Sequence, residues 1–291
     1  MAVRIAVASG KGGTGKTTVA TNLYREINRK QVNSALLVDC DVEEPNDALF
    51  FQEAKPLIRT TINQEIPFID TASCTFCRKC AEYCEFNAIV VIPPADFAEV
   101  NSSLCHSCGA CLVACPSEAM HVQNEAIGTI TTYQDKSGNR ILEGCLKIGS
   151  AMQTNVIRTL KQSIPANESF IILDAPPGTS CPVVETISDV DYIILVAEPT
   201  PFGLHDLKLM LALVREIDKP FGVVINKANM GNRDLYEFLE KEQVEILTEI
   251  PFSLSYASQY ASADLFEKTP VDIQAAHQQI IEKLSEKNLI P

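Results

Sequence analysis

The sequence predicts an α/β fold: a doubly wound, mostly parallel sheet with a small inserted α+β domain rich in cysteine. Three observations predict it. An apolar run, Val3 to Ala8, enters the glycine-rich stretch Gly10-Lys11-Gly12-Gly13-Thr14-Gly15-Lys16-Thr17-Thr18 and leaves it as a helical pattern. Further short apolar runs alternate with helical patterns along most of the 291 residues, as in sheets buried between helices. Between them, residues 71–122 change composition abruptly and hold eight of the eleven cysteines.

The glycine-rich stretch matches G-x-x-x-x-G-K-[ST], in which consecutive backbone N–H groups curl around an anion. Lys16 then reaches the outer phosphates and the Thr17 hydroxyl can ligate Mg²⁺. The same residues satisfy the G-x-G-x-x-G of a dinucleotide turn, but such a turn needs no Lys-Thr at the helix start. Val19, Ala20, Leu23 and Ile27 recur at helical spacing, so the following helix runs to about Lys30.

Ala35 to Val38 is a buried strand ending in Asp39-Cys40-Asp41-Val42-Glu43-Glu44-Pro45-Asn46. Unpaired carboxylates are costly to bury, so these should meet water or a cation, with Asp41 near Mg²⁺ and an attacking water and Cys40 a small core residue. Residues 52–70 are mixed, with short strands at Leu57-Ile58 and Ile66 to Ile69.

Two copies of C-x₂-C-x₂-C-x₃-C follow: Cys74, Cys77, Cys80, Cys84 and Cys105, Cys108, Cys111, Cys115. In this bacterial ferredoxin spacing the fourth cysteine of each run ligates the other cluster. Cys74, Cys77, Cys80 and Cys115 therefore form one [4Fe-4S] ligand set, and Cys105, Cys108, Cys111 and Cys84 the second. Zinc is the structural alternative. Glu85 stands where a proline usually follows the fourth cysteine, which loosens that turn. The insert has few large apolar residues, so it should be unfolded without iron and sulfide.

Beyond it, Ile127 to Thr132 alternates as an edge strand and Asp135-Lys136-Ser137-Gly138-Asn139 is a hairpin turn. Gly144 to Gly149, containing Cys145, precedes a helix near Ser150 to Gln162. Phe170 to Leu173 is a strand ending in Asp174-Ala175-Pro176-Pro177-Gly178-Thr179, where a carboxylate facing a phosphate loop can accept from a Mg²⁺-bound water. Tyr192 to Ala197 is the next strand, with Thr200 an N-cap and Pro201 at the first helical position. Phe221 to Ile225 leads to Asn226-Lys227, and Ile273, Ala276, Ile280, Ile281 and Leu284 form a core-packing stripe.

Lys11, just after the first glycine, gives the loop the deviant form G-K-G-G-x-G-K-T-T. With D-x-D-x-x-x-P-N at Asp39 to Asn46 and D-x-P-P-G at Asp174 to Gly178, the chain resembles the dimeric ATPases that include MinD, the nitrogenase iron protein and the Mrp-type iron-sulfur carriers. It is most similar to the MinD-superfamily members with an inserted two-cluster ferredoxin domain. That resemblance implies ATP sandwiched between two subunits, with Lys11 acting on the partner's nucleotide. It implies that Asp41 orients water, that Thr17, Asp41 and Asp174 serve Mg²⁺, that Gly178 senses the γ-phosphate, and that Asn226 and Pro251 contact adenine. The ATPase domain would comprise residues 1–70 and 123–291, interrupted by the ferredoxin domain at 71–122. Cys145 and Cys181 lie near the intervals at which the iron protein places its shared-cluster ligands. They are buried free thiols or a third, dimer-bridging site.

Three functions remain open: ATP-gated electron transfer, assembly or delivery of a metal cofactor, and positioning with structural clusters. The Mrp-type carriers hold a transferable cluster on a C-terminal C-x-x-C, which weakens the delivery alternative because no cysteine follows Cys181. The expected partners are a second copy or a related ATPase, and a redox or metal-cofactor protein. A net charge of −13, with no basic tract, disfavours nucleic acid and anionic membrane as partners. Apolar runs too short to span a bilayer, and a reducing environment for the thiols, place the protein in the cytoplasm.

Overall fold

The computed structural model describes residues 2–29 and 35–290. The chain divides into two compact units, one of Met1–Arg59, Thr131–Gly144 and Ile157–Pro291, the other of Thr60–Ile130 and Cys145–Val156. The first half carries β1 (Val3–Ala8), α1 (Lys16–Arg29), β2 (Ala35–Asp39), β3 (Lys55–Ile69), α2 (Lys79–Glu82), β4 (Ile89–Ile92), β5 (Phe97–Val100), α3 (Ala110–Ala114), β6 (Met120–Gln134) and β7 (Arg140–Leu146). The second carries α4 (Gln153–Gln162), β8 (Phe170–Asp174), α5 (Cys181–Ile187), β9 (Tyr192–Ala197), α6 (Pro201–Glu216), β10 (Phe221–Asn226), α7 (Asp234–Lys241), β11 (Ile246–Ile250), α8 (Leu254–Ala261) and α9 (Val271–Glu286).

Apolar β-branched runs make the centre of the first unit. Its strands lie in the order β11-β10-β9-β1-β8-β2-β7 and pair in parallel throughout. The register pairs Val7 with Asp174 and Asp174 with Asp39, so three adjacent strands end level with one another. β8 and β9 flank β1 on opposite sides, which opens a crevice beyond its carboxyl end, the usual ligand position in such sheets. α1 buries Val19, Ala20, Leu23 and Ile27, and α9 buries Ile273, Ala276, Ile280, Ile281 and Leu284, in one core cluster. Each buried Val, Leu or Ile side chain contributes roughly 2 kcal/mol, so burial of the stripe rather than helix propensity holds these helices.

Several expectations need correction. The two short strands at 57–58 and 66–69 are parts of one strand, β3, in which Leu57 and Ile58 are each 59% exposed. Ile127 to Thr132 belongs to the longer β6, which lies between β7 and β3 rather than at the edge. β3 takes the end of the order, where its Pro56 and Pro67 are tolerated because an outer N–H need not pair. The helix expected from Ser150 begins at Gln153. α1 is described to Arg29, so the expected end at Lys30 lies outside the described residues.

α9 also buries His277, whose Nδ1 donates to the Ile273 carbonyl at 2.8 Å while Nε2 has no partner among the described residues. Burial pushes its pKa down to about 4. The folded state thus binds this proton less readily than the unfolded chain, so the stabilising contribution is whole above pH 6.5 and is lost as pH falls toward 4. The loss is about 3 kcal/mol at its limit. Urea unfolding at pH 7.5 and 4.5 should show this slope in the native chain and a flatter one in His277→Gln.

Candidate functional site

The glycine-rich loop joins β1 to α1 and takes the left-handed backbone at Gly13 (φ 75°) and Gly15 (φ 100°). A side chain at Gly15 would also strike the Asn226 amide, 2.3 Å from the Cβ position, so that glycine is required twice over. Thr17 Oγ1 donates to Asp174 Oδ2 at 2.6 Å, joining the first turn of α1 to the end of β8. Gly178 (φ 97°) donates its N–H to the Ser9 carbonyl at 3.0 Å, which ties the Pro-Pro-Gly turn to the loop entrance.

Asp39 organises the neighbouring turn. Its carboxylate accepts from the N–H groups of Asp41 (3.1 Å), Asn46 (2.8 Å) and Asp47 (3.0 Å), pulling residues 41–47 back over the end of β2. Asp39, Asp47 and Asp174 are all buried, and among the described residues Asp47 finds no hydrogen-bond donor for either oxygen. Burial, then the other carboxylates, pushes Asp39 and Asp47 well above the usual carboxylate range. Asp174 is pushed up to about 6 by burial, against the pull of Lys16 and Thr17. A proton on Asp47 gives Asp174 a donor, which is how three acids share so dry a corner. Asp41 faces more water; burial raises its pKa and the Lys16 ammonium opposes that. Cys40 is fully buried, a core thiol pushed up by burial.

A cleft of about 420 Å³ opens above these residues, within the range of small-ligand sites. Gly12, Gly13, Gly15, Lys16, Thr17, Thr18, Asp41, Asn226 and Pro251 line it, whereas Gly10, Lys11, Thr14, Asp174 and Gly178 do not. Asn226 is engaged with the loop, donating to the Thr14 carbonyl at 2.7 Å. Phe252, Tyr256 and Tyr260 also line the cleft, with Tyr260 close to Thr17 and the buried acids. Glu198, sealed beneath the loop, pairs with Lys11 at 3.2 Å and with Lys227. Neither Glu198 nor the aromatic residues were singled out from the sequence, although Lys11 was. A run of aromatics after the Pro251 strand end was the available signal for the latter; nothing flagged Glu198.

In the second unit the cysteine repeats share one backbone pattern. Positive φ recurs at Phe76 and Ser107, at Arg78 and Gly109, and at Asn87 and Glu118, each pair 31 residues apart. Phe76 and Ser107 donate their N–H groups to Cys74 and Cys105 sulfur at 3.4 Å. One hollow is lined by Cys74, Cys77, Cys80 and Cys115, the other by Cys84, Cys105, Cys108 and Cys111. Each set contains the fourth cysteine of the opposite repeat. Burial raises the Cys80 and Cys105 thiols and pushes Cys111 up to about 11. At Cys115, slight burial is outweighed by donors from Ser117, Ala119 and Met120, which hold its thiol below the usual value. Four thiols around each hollow fit an iron-sulfur cluster, and His106 also lines the second. Among the described residues, no three His, Cys, Asp or Glu side chains converge as they would on a single metal ion. Mg²⁺ needs fewer, since it keeps several waters and takes one or two carboxylates with the phosphates.

Cys145, in the second unit, is half-buried, with its sulfur 3.8 Å from the Leu146 carbonyl. Cys181 is exposed at the start of α5 in the first unit. No described helix is long and apolar enough to cross a membrane.

The model of the CobQ/CobB/MinD/ParA nucleotide binding domain matches residues 5–266. The chain belongs to this family. A Methanocaldococcus jannaschii relative of uncharacterized function is 30% identical over 98% of this chain and 97% of its own length. An iron-sulfur cluster carrier protein of Pyrococcus abyssi is 26% identical over 86% of this chain and 74% of its own. Among solved structures, the septum site-determining protein MinD of Pyrococcus horikoshii, complexed with Mg-ADP, superposes with a TM-score of 0.61. That match covers 99% of this chain and 98% of that one at 17% identity, a likeness of fold. The chain is thus a MinD/ParA-type nucleotide-binding ATPase of the MinD/Mrp superfamily, and its mostly parallel sheet is the fold the sequence predicted.

Proposed function

We propose that this ATPase couples a Mg²⁺- and ATP-driven dimer switch to electron transfer through an iron-sulfur module inserted at residues 71–122. What supports this most is the sorting of eight cysteines into two hollows, each completed by a cysteine of the other repeat. Cys74, Cys77, Cys80 and Cys115 would hold one [4Fe-4S] cluster, and Cys84, Cys105, Cys108 and Cys111 the other. Bound there, such clusters supply one-electron redox chemistry.

The chain's own residues do the rest. The loop from Gly10 to Thr18 binds phosphates, Lys16 neutralises their charge, and Thr17 and Asp174 hold Mg²⁺. Asp41 orients the attacking water, and Gly178 shifts with the γ-phosphate. Lys11 reaches the nucleotide of the facing subunit, either a second copy or a related ATPase. Asn226 and Pro251 border the base, beside Phe252.

A second possibility, delivery of a cluster, is favoured by the carrier protein of Pyrococcus abyssi. Burial of Cys80, Cys105 and Cys111 within the small cores of the second unit opposes it, because releasing a cluster would dismantle those cores. Anaerobically purified protein, reduced with dithionite, decides between them. Electron transfer predicts reoxidation by an acceptor protein at least several-fold faster with Mg-ATP than with Mg-ADP, and about eight irons retained per chain afterwards. Stoichiometric loss of iron to an apo-acceptor would establish delivery. Reoxidation indifferent to nucleotide, with an ATPase rate indifferent to dithionite, would leave a positioning ATPase with structural clusters.

A further inference from the structure

The lysine that distinguishes this phosphate loop is not free. Its ammonium lies 3.2 Å from Glu198 Oε2, while Lys227 pairs with the other carboxylate oxygen, Oε1. Glu198 follows β9 in a tightly fixed turn: Thr200 donates its N–H to the Glu198 carbonyl at 2.8 Å, and Gly203 packs so closely that a Cβ there would lie 2.2 Å from that oxygen. Lys227 is anchored in turn, donating also to the Gly13 carbonyl at 3.2 Å. The Glu198 side chain is 9% exposed and that of Lys11 is 34% exposed, so a sealed acceptor holds a more accessible donor. Burial alone would raise the Glu198 carboxyl, but Lys227 and then Lys11 outweigh it and keep it below the usual range.

A lysine stem cannot rest on a carboxylate beneath its own loop and also extend to a neighbouring subunit's nucleotide. The two arrangements exclude one another, and any free energy that favours the first is subtracted from the second. Lys227 supplies the asymmetry, because it stays with Glu198 and keeps that buried charge paired once Lys11 departs.

The geometry points to Glu198 as a positioning residue that docks Lys11 in cis between turnovers and so sets how much ATP the dimer requires. This rests on Lys11 acting across the interface. An undocked lysine would be available to any anion, nucleoside diphosphate included. A docked one is drawn away only when an assembled dimer offers it the full negative charge of a triphosphate.

The test is the ATP concentration at half-maximal dimerisation of the full, iron-loaded chain, followed by anaerobic light scattering. Glu198→Gln should lower that midpoint roughly fivefold, the scale of one partly exposed ion pair, and raise the dimer fraction found with ADP. Glu198→Asp, which keeps the charge but withdraws it by one methylene, should lower it less. The binding of ATP to the monomer, measured in a Lys11→Ala background, should be the same with and without the Glu198→Gln substitution. A midpoint equal in all three forms, or one that rises, overturns the docking role. So does a change in monomer affinity that matches the midpoint shift, since Glu198 would then act through Lys227 and the loop. A Lys11→Ala chain that still dimerises with ATP removes instead the cross-interface role on which docking rests.

Discussion

Asp41→Asn is expected to lower ATPase turnover by about two to three orders of magnitude while leaving ATP affinity within about twofold. Asp41 lines the cleft and is only partly buried, so it can meet water. Asparagine keeps the shape but cannot accept a proton or orient a nucleophile through a negative charge. Turnover should also fall as pH drops toward the Asp41 pKa, which burial raises. The contrast is Asp39→Asn, one strand end away. Asp39 accepts three backbone N–H groups that close the 41–47 turn, so its loss should lower the melting temperature as well as the rate. Single-turnover hydrolysis and light scattering of Asp41→Asn should show ATP-bound dimers accumulating unhydrolysed. If its rate stayed within tenfold, or ATP affinity fell in step, Asp41 would be a loop-holding residue like Asp39.

The difference between those two aspartates marks what could be read in the sequence. An acid after an apolar run announces that something polar happens at a strand end, and both Asp39 and Asp174 carry that signal. Which oxygen then accepts a backbone N–H and which faces the cleft depends on the turn closing, a three-dimensional fact. Glycines were legible for a firmer reason: Gly13 and Gly15 have left-handed backbone, which only glycine adopts freely. The pairing of Glu198 with Lys227 stayed hidden because an ion pair between residues 29 apart leaves no periodicity to detect. Tyr256 and Tyr260 sit on a helix of ordinary composition, and line the cleft only when α8 packs beside the loop.

The long strands β3 and β6 failed for another reason. A strand advertises itself by alternation only when one face is dry. The first seven residues of β3, Lys55 to Thr61, are all exposed, so no face selects apolar residues and the segment looks irregular. The cysteine repeats lie at the opposite extreme. Their spacing matches a cluster-ligand pattern, so both sets could be assigned with the fourth member crossed, and the two hollows have that same membership.

Removing iron and sulfide should unfold the second unit and leave the first able to bind nucleotide. Around the cysteines the buried apolar core is a handful of side chains, with Ile89, Val91 and Met120 packed against Cys80 and Cys111, and Ile66 and Ala88 against Cys105; Ile62, Ile127, Ile130, Met152 and Val156 are buried elsewhere in the unit. Cysteines are thus part of the core, and without a shared ligand they contribute small, weakly attractive surfaces. Structural metal sites contribute on the order of 10 kcal/mol to such domains, more than this core can replace. The first unit has its own extensive cluster built on α1, α9 and the sheet, and no predicted iron ligand is among its members. Limited proteolysis after anaerobic chelation should therefore cut within residues 60–130 and 145–156 at least tenfold faster than in the iron-loaded protein. ATP binding should persist, because every residue lining the cleft belongs to the first unit. Equal protease resistance with and without iron would mean that the two hollows are stable empty, and that the cysteines are ligands by opportunity rather than the framework of the fold around them.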